Sequence, residues 1–486
     1  ASRITPLEAM KSSGLESNRQ ERGGQRGVVF GAALLIFVYF SMRFQWNRIF
    51  APIEQITQGA SVLGAAFFGP ALVFLMIRGL RKVTRLGKIP IFRLAQENLI
   101  RSRRRTATNV MALMVGLFLV MLIATIRASF QTTLVNWLGE ILTADIVVTA
   151  SGRTITADTQ PTQASIQNEL LQIPGIRNPG EGRGTRSRFL QFSSQGIKYT
   201  LKAFDEPGDY TGYRNFKIKG QDRITVARKL FDEELNSREP GVIISENFFS
   251  KNPDKKVGDL FEIDTPSGRI PFRILAVSVD FASPNGVFYI SRKVYERYWK
   301  DPLVTTFALT LEPGANLEKV RSELASGVGK KYGLTALSNA EMRSEMKKAI
   351  DQSFAYTRAV EIAALFVALL GLLNTLLISV LERTREIGVL RAIGASRQQI
   401  FRMILTEAVI QGGFGALIAV AIGAAIGKLW IENSLAAALG WMIEFSVPVS
   451  SMITTVGVGL LVSIIAGIYP SKRASELPIV EALEYE

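Results

Sequence analysis

Any chemistry on this 486-residue chain falls to carboxylates, amides, hydroxyls, lysine amines and guanidinium groups, because the sequence holds neither His nor Cys. That excludes disulfides, thiolate nucleophiles, Cys/His zinc sites and Ser-His-Asp triads. Carboxylate hydrolysis and carboxylate-bound Mg²⁺ stay open, yet no stretch concentrates acids for either. One charged run leads into an apolar one: Glu382-Arg383-Thr384-Arg385-Glu386-Ile387-Gly388-Val389-Leu390-Arg391, continuing to Ala392-Ile393-Gly394-Ala395-Ser396-Arg397. Its second part is amphipathic, with Ile387, Leu390 and Ile393 on one helical face. Gly394 suits the left-handed residue after a helix, and Ser396 suits the cap of the next one. A short helix bounded in this way has the geometry to dock on a soluble partner, and an ordinary solvated basic turn is the alternative.

Apolar runs on either side must position that helix. Hydrophobic residues make up 48% of the chain and charged residues 20%, and the mean hydropathy is +0.20. These figures fit membrane spans combined with a polar domain, and exclude a mainly disordered chain. Crossing a bilayer takes about 20 apolar residues. Six runs qualify: Gly27–Met42, Gly59–Ile77, Thr106–Ile126, Ala359–Leu381, Ala408–Trp430 and Ser451–Tyr469. The first is the shortest, and Arg26 and Arg43 would have to snorkel at its ends. Glu361 and Asn374 in the fourth are expected to face other helices in interhelical hydrogen bonds. Gly423 and Gly427 form a small-xxx-small pair suited to close helix packing, though glycines of this kind are also ordinary in spans.

The basic residues set the topology. Arg78, Arg81, Lys82, Arg85, Lys88, Arg93, Arg101, Arg103, Arg104 and Arg105 fall between the second and third runs, against the single acid Glu97. This places segment 78–105 in the cytoplasm as a basic amphipathic stretch. The net charge of +15 therefore belongs to the membrane's cytoplasmic face, with no nucleic-acid partner. Counting outward, 1–26, 382–407 and 470–486 are cytoplasmic, 27–77 holds two linking helices, and 408–469 holds the last two spans. The expected fold is α-helical transmembrane, with an inserted α+β domain at 127–358 on the outer side.

Strand-like stretches within that domain are Ala144–Thr149, Arg188–Phe192, Ile197–Ala203, Gly241–Ser245, Asp259–Asp264, Arg269–Val279 and Phe307–Leu311. Helical pieces are Thr162–Gln172, Ser291–Tyr298 and Asn316–Tyr332, and Pro174–Gly184 reads as a loop. The third span continues past Arg127 towards Ile141. Asn339–Leu381 reads as one helix of about 43 residues, about 65 Å long, with a kink near Phe354–Thr357 as the alternative.

The ends of the chain echo each other, because ASRITPLEAM at 1–10 aligns without a gap on ASELPIVEAL at 474–483. Since 474–483 closes a block of one span, outer domain and three spans, 1–10 is expected to close an earlier, upstream block.

The run Glu382–Ala395 resembles the FtsX/MacB/LolC type of ABC-transporter permease, the type VII or mechanotransmission class. The basic entry Glu97–Thr106, the ending Tyr469–Ala474 with Glu481-Ala482-Leu483, and Val242–Glu246 followed by Val257-Gly258-Asp259 in the outer domain strengthen the resemblance. Together they cover residues 93–486, and the two extra spans resemble the ten-span duplicated members. The resemblance implies a bacterial inner-membrane permease subunit, non-catalytic and without a cofactor of its own. ATP and Mg²⁺ would be bound by separate ABC ATPase subunits, and indeed no Gly-x4-Gly-Lys-Ser/Thr loop occurs here. It makes 382–397 the coupling helix, with Glu382, Arg383, Arg385, Glu386, Gly388, Arg391 and Gly394 at the ATPase contact, and Arg385, Glu386 and Arg391 foremost. Further implied partners are an upstream permease half, membrane lipid and a periplasmic partner protein. The leading substrate class is a lipid, lipoprotein or other hydrophobic molecule, with peptide-antibiotic removal or control of a periplasmic hydrolase as alternatives. Rivals from other classes are a membrane sensor or scaffold without an ATPase, and a carboxylate-based membrane enzyme. Glu361 standing alone in its span disfavours the last.

Overall fold

In the computed structural model, the residues described are 27–41, 44, 53–83, 97, 99, 103–150, 159–180, 186–206, 217–435 and 439–478. The terminal echo at 1–10, the tail 1–26 and most of the basic segment 78–105 lie outside them. The chain forms two compact units. One takes Ala1–Ser129, Phe354–Ser434 and Phe445–Glu486, and the other takes Phe130–Ser353 and Leu435–Glu444.

The first unit is a helical bundle. Its helices are α1 (Gly27–Ser41), α2 (Ile53–Val83), α3 (Arg103–Ile141) as far as Ser129, α5 (Ala355–Leu381), α6 (Thr384–Ala392), α7 (Arg397–Leu429) and α8 (Val449–Glu476); the rest of α3 and α4 (Asn339–Ser353) belong to the second unit. Among the described residues, four helical stretches are long and apolar enough to cross a membrane: Asn109–Ile141, Asn339–Leu381, Arg397–Leu435 and Val449–Glu476. The first expected span is the shorter apolar helix Gly27–Ser41. The second falls inside α2, and many side chains in the latter part of that helix lie outside the described residues.

The bundle core draws Leu113, Leu117 and Phe118 from α3, Leu372 and Leu376 from α5, Ala416 and Ala419 from α7, and Val462 and Ala466 from α8. Small residues decide how closely these helices meet. A Cβ added at Gly423 would lie 2.8 Å from Met121 Cβ, and one at Gly427 would lie 2.8 Å from Thr125 Cγ2. At both glycines α7 lies close against α3. Gly412 is tighter still, facing Ser463 Oγ at 1.6 Å and Ser463 Cβ at 2.4 Å.

The helical stretch Asn339–Leu381 runs for 43 residues, with one irregular residue inside it. Phe354 separates α4 from α5 with φ −88° and ψ 3°, within the stretch given as the alternative kink. The hydroxyl of Thr357 donates to Phe354 O at 2.6 Å, and that of Ser353 donates to Ala349 O at 2.8 Å. Side chains that bond local carbonyls in this way compete with the helical ladder.

The second unit is built on a mixed sheet. Its strands are β1 (Ile146–Thr149), β2 (Thr162–Gln163), β3 (Arg186–Ser194), β4 (Ile197–Phe204), β5 (Lys217–Ile218), β6 (Gly241–Ser245), β7 (Leu260–Thr265), β8 (Gly268–Val279), β9 (Val287–Ser291), β10 (Leu303–Val304), β11 (Thr306–Leu309) and β12 (Thr335–Ser338). The order is β12-β1-β11-β3-β4-β9-β6-β8-β5, with β7 also on β8, and β10 pairs β2 separately. Only the β4–β9 and β6–β8 pairs are parallel; the others are antiparallel, as in α+β domains.

Every strand named from the sequence is present. Missed were β9 and β12, the short strands β2, β5 and β10, and the helices Arg223–Phe231, Glu233–Arg238 and Glu246–Lys251. The helix expected over Thr162–Gln172 shrinks to Ile166–Leu170, and that over Asn316–Tyr332 is interrupted by a π turn at Ala325–Gly329. One face of the sheet packs Phe192, Tyr199, Phe248, Phe261 and Phe288; the other packs Phe204, Leu230, Ile243 and Tyr289. The segment 439–444 belongs to this unit too. Trp441 meets Phe130 and Phe281 edge-on, and Thr133 Oγ1 accepts from Glu444 N at 3.0 Å.

The candidate coupling helix

Helix α6 is short, and its sequence fixes its C-terminal end. Glu386 lies in the first turn and Arg391 in the last, matching the helix dipole. After Ala392 the chain turns through Gly394 at φ 109°. Gly394 N donates to Arg391 O at 3.1 Å and Ala395 N to Leu390 O at 3.0 Å, which is a Schellman ending. Ser396 then caps α7, accepting from Gln399 N at 3.2 Å while its own N–H donates to Gln399 Oε1 at 2.8 Å. The turn from α6 into α7 is thereby closed by backbone and cap hydrogen bonds.

The inner face of α6 is held equally firmly. Ile387 is buried with Val380, Ile400, Met403, Ile404 and Ala474, and Leu390 packs beside them. Arg383 donates from Nη1 to both carboxylate oxygens of Glu407, at 3.0 and 3.3 Å, with side chains only 13% and 7% exposed. Such a charge-assisted fork ties the start of α6 to α7. The same guanidinium reaches Glu386 at 3.2 Å, and Arg391 donates to Leu477 O just beyond α8.

These contacts redistribute the seven residues named for ATPase contact. Arg385 is exposed and makes no ion pair among the described residues, and Glu382, Glu386 and Gly394 are also exposed. Gly388 is buried, and Arg383 and Arg391 are committed to contacts within the chain. The apolar face is corrected as well. Ile387 and Leu390 turn inward, whereas Ile393 is 76% exposed and joins Val389, 45% exposed. Arg385, Val389 and Ile393 follow at i, i+4 and i+8, one outward stripe.

Of the two polar span residues, Glu361 pairs with Arg127 of α3 at 2.9 Å. Asn374 is exposed on α5, and no hydrogen bond to it occurs among the described residues. Sequence reasoning missed two buried polar contacts. Asn109 Nδ2 donates to Gln411 Oε1 at 3.1 Å between α3 and α7, and Glu407 receives Arg383. Glu407 and Gln411 are four residues apart on α7, and that spacing of polar groups at the edge of an apolar run was the available signal. Among the described residues, no group of His, Cys, Asp and Glu is arranged to hold a metal ion.

Two family models match the chain. Residues 359–479 match the family described as FtsX-like permease C-terminal, and residues 106–326 match the MacB-like periplasmic core domain. An uncharacterized ABC transporter permease protein of Mycobacterium tuberculosis is 26% identical over 87% of this chain and 48% of its own length. The macrolide export ATP-binding/permease protein MacB of Bdellovibrio bacteriovorus is 24% identical over 66% of this chain and 49% of its own. The chain thus spans about half the length of these curated relatives. Among solved structures, the periplasmic region of MacB from Actinobacillus actinomycetemcomitans aligns at TM-score 0.30 and 12% identity, covering 44% of this chain and 98% of that one. With a MacB-like periplasmic core over 106–326 and an FtsX-like permease domain over 359–479, the chain belongs to the FtsX/MacB type of ABC transporter permease.

Proposed function

We propose that the chain is the C-terminal part of a ten-span permease that converts ATP hydrolysis by a partner ATPase into motion of its sheet domain in the periplasm. On this reading α1 and α2 complete six spans in a bacterial inner membrane, and residues 1–26 are the tail of an upstream half. The chain itself is non-catalytic, and ATP and Mg²⁺ belong to the partner. The observation that carries the reading is the asymmetry of α6. Its inner face is pinned by Arg383–Glu407 and Ile387 and its C-terminus by the Gly394 turn, while Arg385, Val389 and Ile393 are left outward. A rigid helix with a charged and apolar outer stripe suits docking on a soluble subunit, and a push on it is passed directly to α7.

The substrate proposed is a lipid, lipoprotein or other hydrophobic molecule, handled on the periplasmic side. A macrolide, as in the name of the Bdellovibrio relative, or a peptide antibiotic is the alternative. The test is copurification of an ABC ATPase with the full-length permease in detergent, with and without Arg385→Glu plus Ile393→Asp. Loss of the ATPase from the double variant alone supports the reading. If no ATPase copurifies with the native permease, or the double variant retains it, a sensor or scaffold without an ATPase takes its place. Arg391→Glu is unsuitable here, since it would also remove the contact to Leu477.

A further inference from the structure

The segment between α7 and α8 is held more firmly than a connection between two spans needs to be. The chain passes between the helical unit and the sheet domain at Ser129–Phe130, Ser353–Phe354, Ser434–Leu435 and Glu444–Phe445. The first passage lies within α3 and the second within the helical stretch Asn339–Leu381. The other two enclose Leu435–Glu444, a short return into the sheet domain by a chain that has just left one span and is about to enter the next. A mere spacer would stay solvated there, since ordering each residue costs conformational entropy.

Within the sheet domain this segment is anchored residue by residue. Gly440 has φ 68°, and a Cβ there would lie 2.7 Å from Asn247 Cα, so glycine is what brings the backbone this close to the helix Glu246–Lys251. Exposure then alternates as along an extended chain. Trp441 and Ile443 turn inward, and Met442 and Glu444 turn outward. Trp441 meets Phe281 and Phe130 with ring centroids 5.5 and 6.2 Å away. The outward residues give their amides to the domain, Met442 N donating to Glu246 Oε1 and Glu444 N to Thr133 Oγ1 at 3.0 Å. Glu246 is buried and also pairs with Lys219. All of these partners belong to the sheet domain.

The other end of the segment is the end of α7. Helical structure runs on from Arg397 to Leu435, 39 residues, and its first turns are where α6 is pinned by Arg383–Glu407 and Ile387. A displacement of α6 is therefore carried by one stiff helix to the point where the anchored segment begins. We propose that Leu435–Glu444 is a strap through which α7 draws the sheet domain, with Glu246, Gly440 and Trp441 as the positioning residues that anchor it. The strap gives the stroke a further way into the sheet domain, besides the helices α3 and α5. This inference rests on the coupling reading and deepens it, because it names the connection that transmits the motion.

The test slackens the strap without touching its anchors. About ten Gly/Ser residues inserted after Leu435 add an r.m.s. length of about 17 Å, which exceeds the shifts of about 1–5 Å by which packed helices switch. The full-length permease with its ATPase carries spin labels on Ser267→Cys, in the turn between β7 and β8, and on Ser450→Cys at the start of α8, both exposed positions. The distance between the labels is measured without nucleotide and with ATP and vanadate. In the slackened chain the nucleotide-driven shift of the native permease should be lost, while ATPase copurification and melting temperature stay native. Gly440→Ala, which forces the strap off Asn247, should lose the same shift; should it fail to fold, the slackened chain carries the test. A native shift in the slackened chain, or loss of its ATPase, overturns the strap alone. A native permease that brings down no ATPase, or whose labels do not move with nucleotide, overturns the coupling reading and the strap with it.

Discussion

Between α7 and α8 the bundle leaves no room for a side chain at Gly412, where a Cβ would sit 1.6 Å from Ser463 Oγ. The sheet domain does the opposite, stacking Tyr199, Phe248, Phe261 and Phe288 with ring centroids 5.1 to 6.3 Å apart. The contrast follows from solvent. Burying apolar surface drives folding in water, so large rings repay their ordering cost. Helices in lipid gain little from that effect and associate through close backbone contact and a few buried polar bonds. One unit therefore depends on what its contact positions lack, and the other on what they contain.

The sharpest way to break the comparison is to add one carbon to the bundle. Gly412→Ala pushes against Ser463 Cβ at 2.4 Å, which no rotamer change relieves, so α7 and α8 must separate. We expect a loss of about 4–5 kcal/mol, read as collapse of the melting temperature in detergent. Gly457→Ala in α8, where a Cβ meets nothing within 4 Å, should instead gain up to about 1 kcal/mol from helix propensity. Equal melting temperatures for the two variants would refute the close-packing account.

In the sheet domain the largest effect should come from a charge. Asp280, fully buried, meets Lys202 Nζ at 2.6 Å and also accepts from Tyr289 and from Ala282 N. Lys202→Met leaves that carboxylate uncompensated and should cost about 3–5 kcal/mol in urea unfolding. Adding Asp280→Asn should restore most of it, and failure to do so would mean the cost lies in packing of the lysine stem.

The two units also differed in how far the sequence revealed them. The strand Gly241–Ser245 and the caps at Gly394 and Ser396 were readable because each rests on local chemistry: β-branched residues, a left-handed glycine, a serine hydroxyl. Strand β9 was missed because Val287–Ser291 is a five-residue apolar run whose partners β4 and β6 lie far away in sequence. The inward turn of Ile387 and Leu390 follows from α7 and Ala474, which helical periodicity on α6 alone does not contain.

A smaller effect separates helix starts from buried charges. Asp222 accepts from Thr225 N at 2.9 Å and Asp232 from Leu235 N at 3.0 Å. Replacing either with Ala should cost about 1 kcal/mol, measured by urea unfolding. A loss near that of Lys202→Met would mean that these exposed caps hold more of the domain than their own helices.

The smallest effect per group is a dependence on acid. The Thr225 hydroxyl and amide hold the Asp222 carboxyl below its ordinary value, and the Ser338 amide, with Arg321 beyond it, does so for Glu341. A carboxylate lowered in the folded state stabilises fully above its unfolded pKa, about 4, and loses that contribution as pH falls through the lowered folded value. The melting temperature of the sheet domain should therefore fall below about pH 4. Asp222→Asn with Glu341→Gln should flatten the slope, while the amide oxygen introduced by the first substitution still accepts the cap bond from Thr225 N. The deficit of Gly412→Ala should be the same at pH 7 and at pH 4, because neither Gly412 nor Ser463 titrates. An acid slope unchanged by the paired substitution would move the sensitivity to other carboxylates of the domain, such as Glu169 and Glu233, which are also lowered.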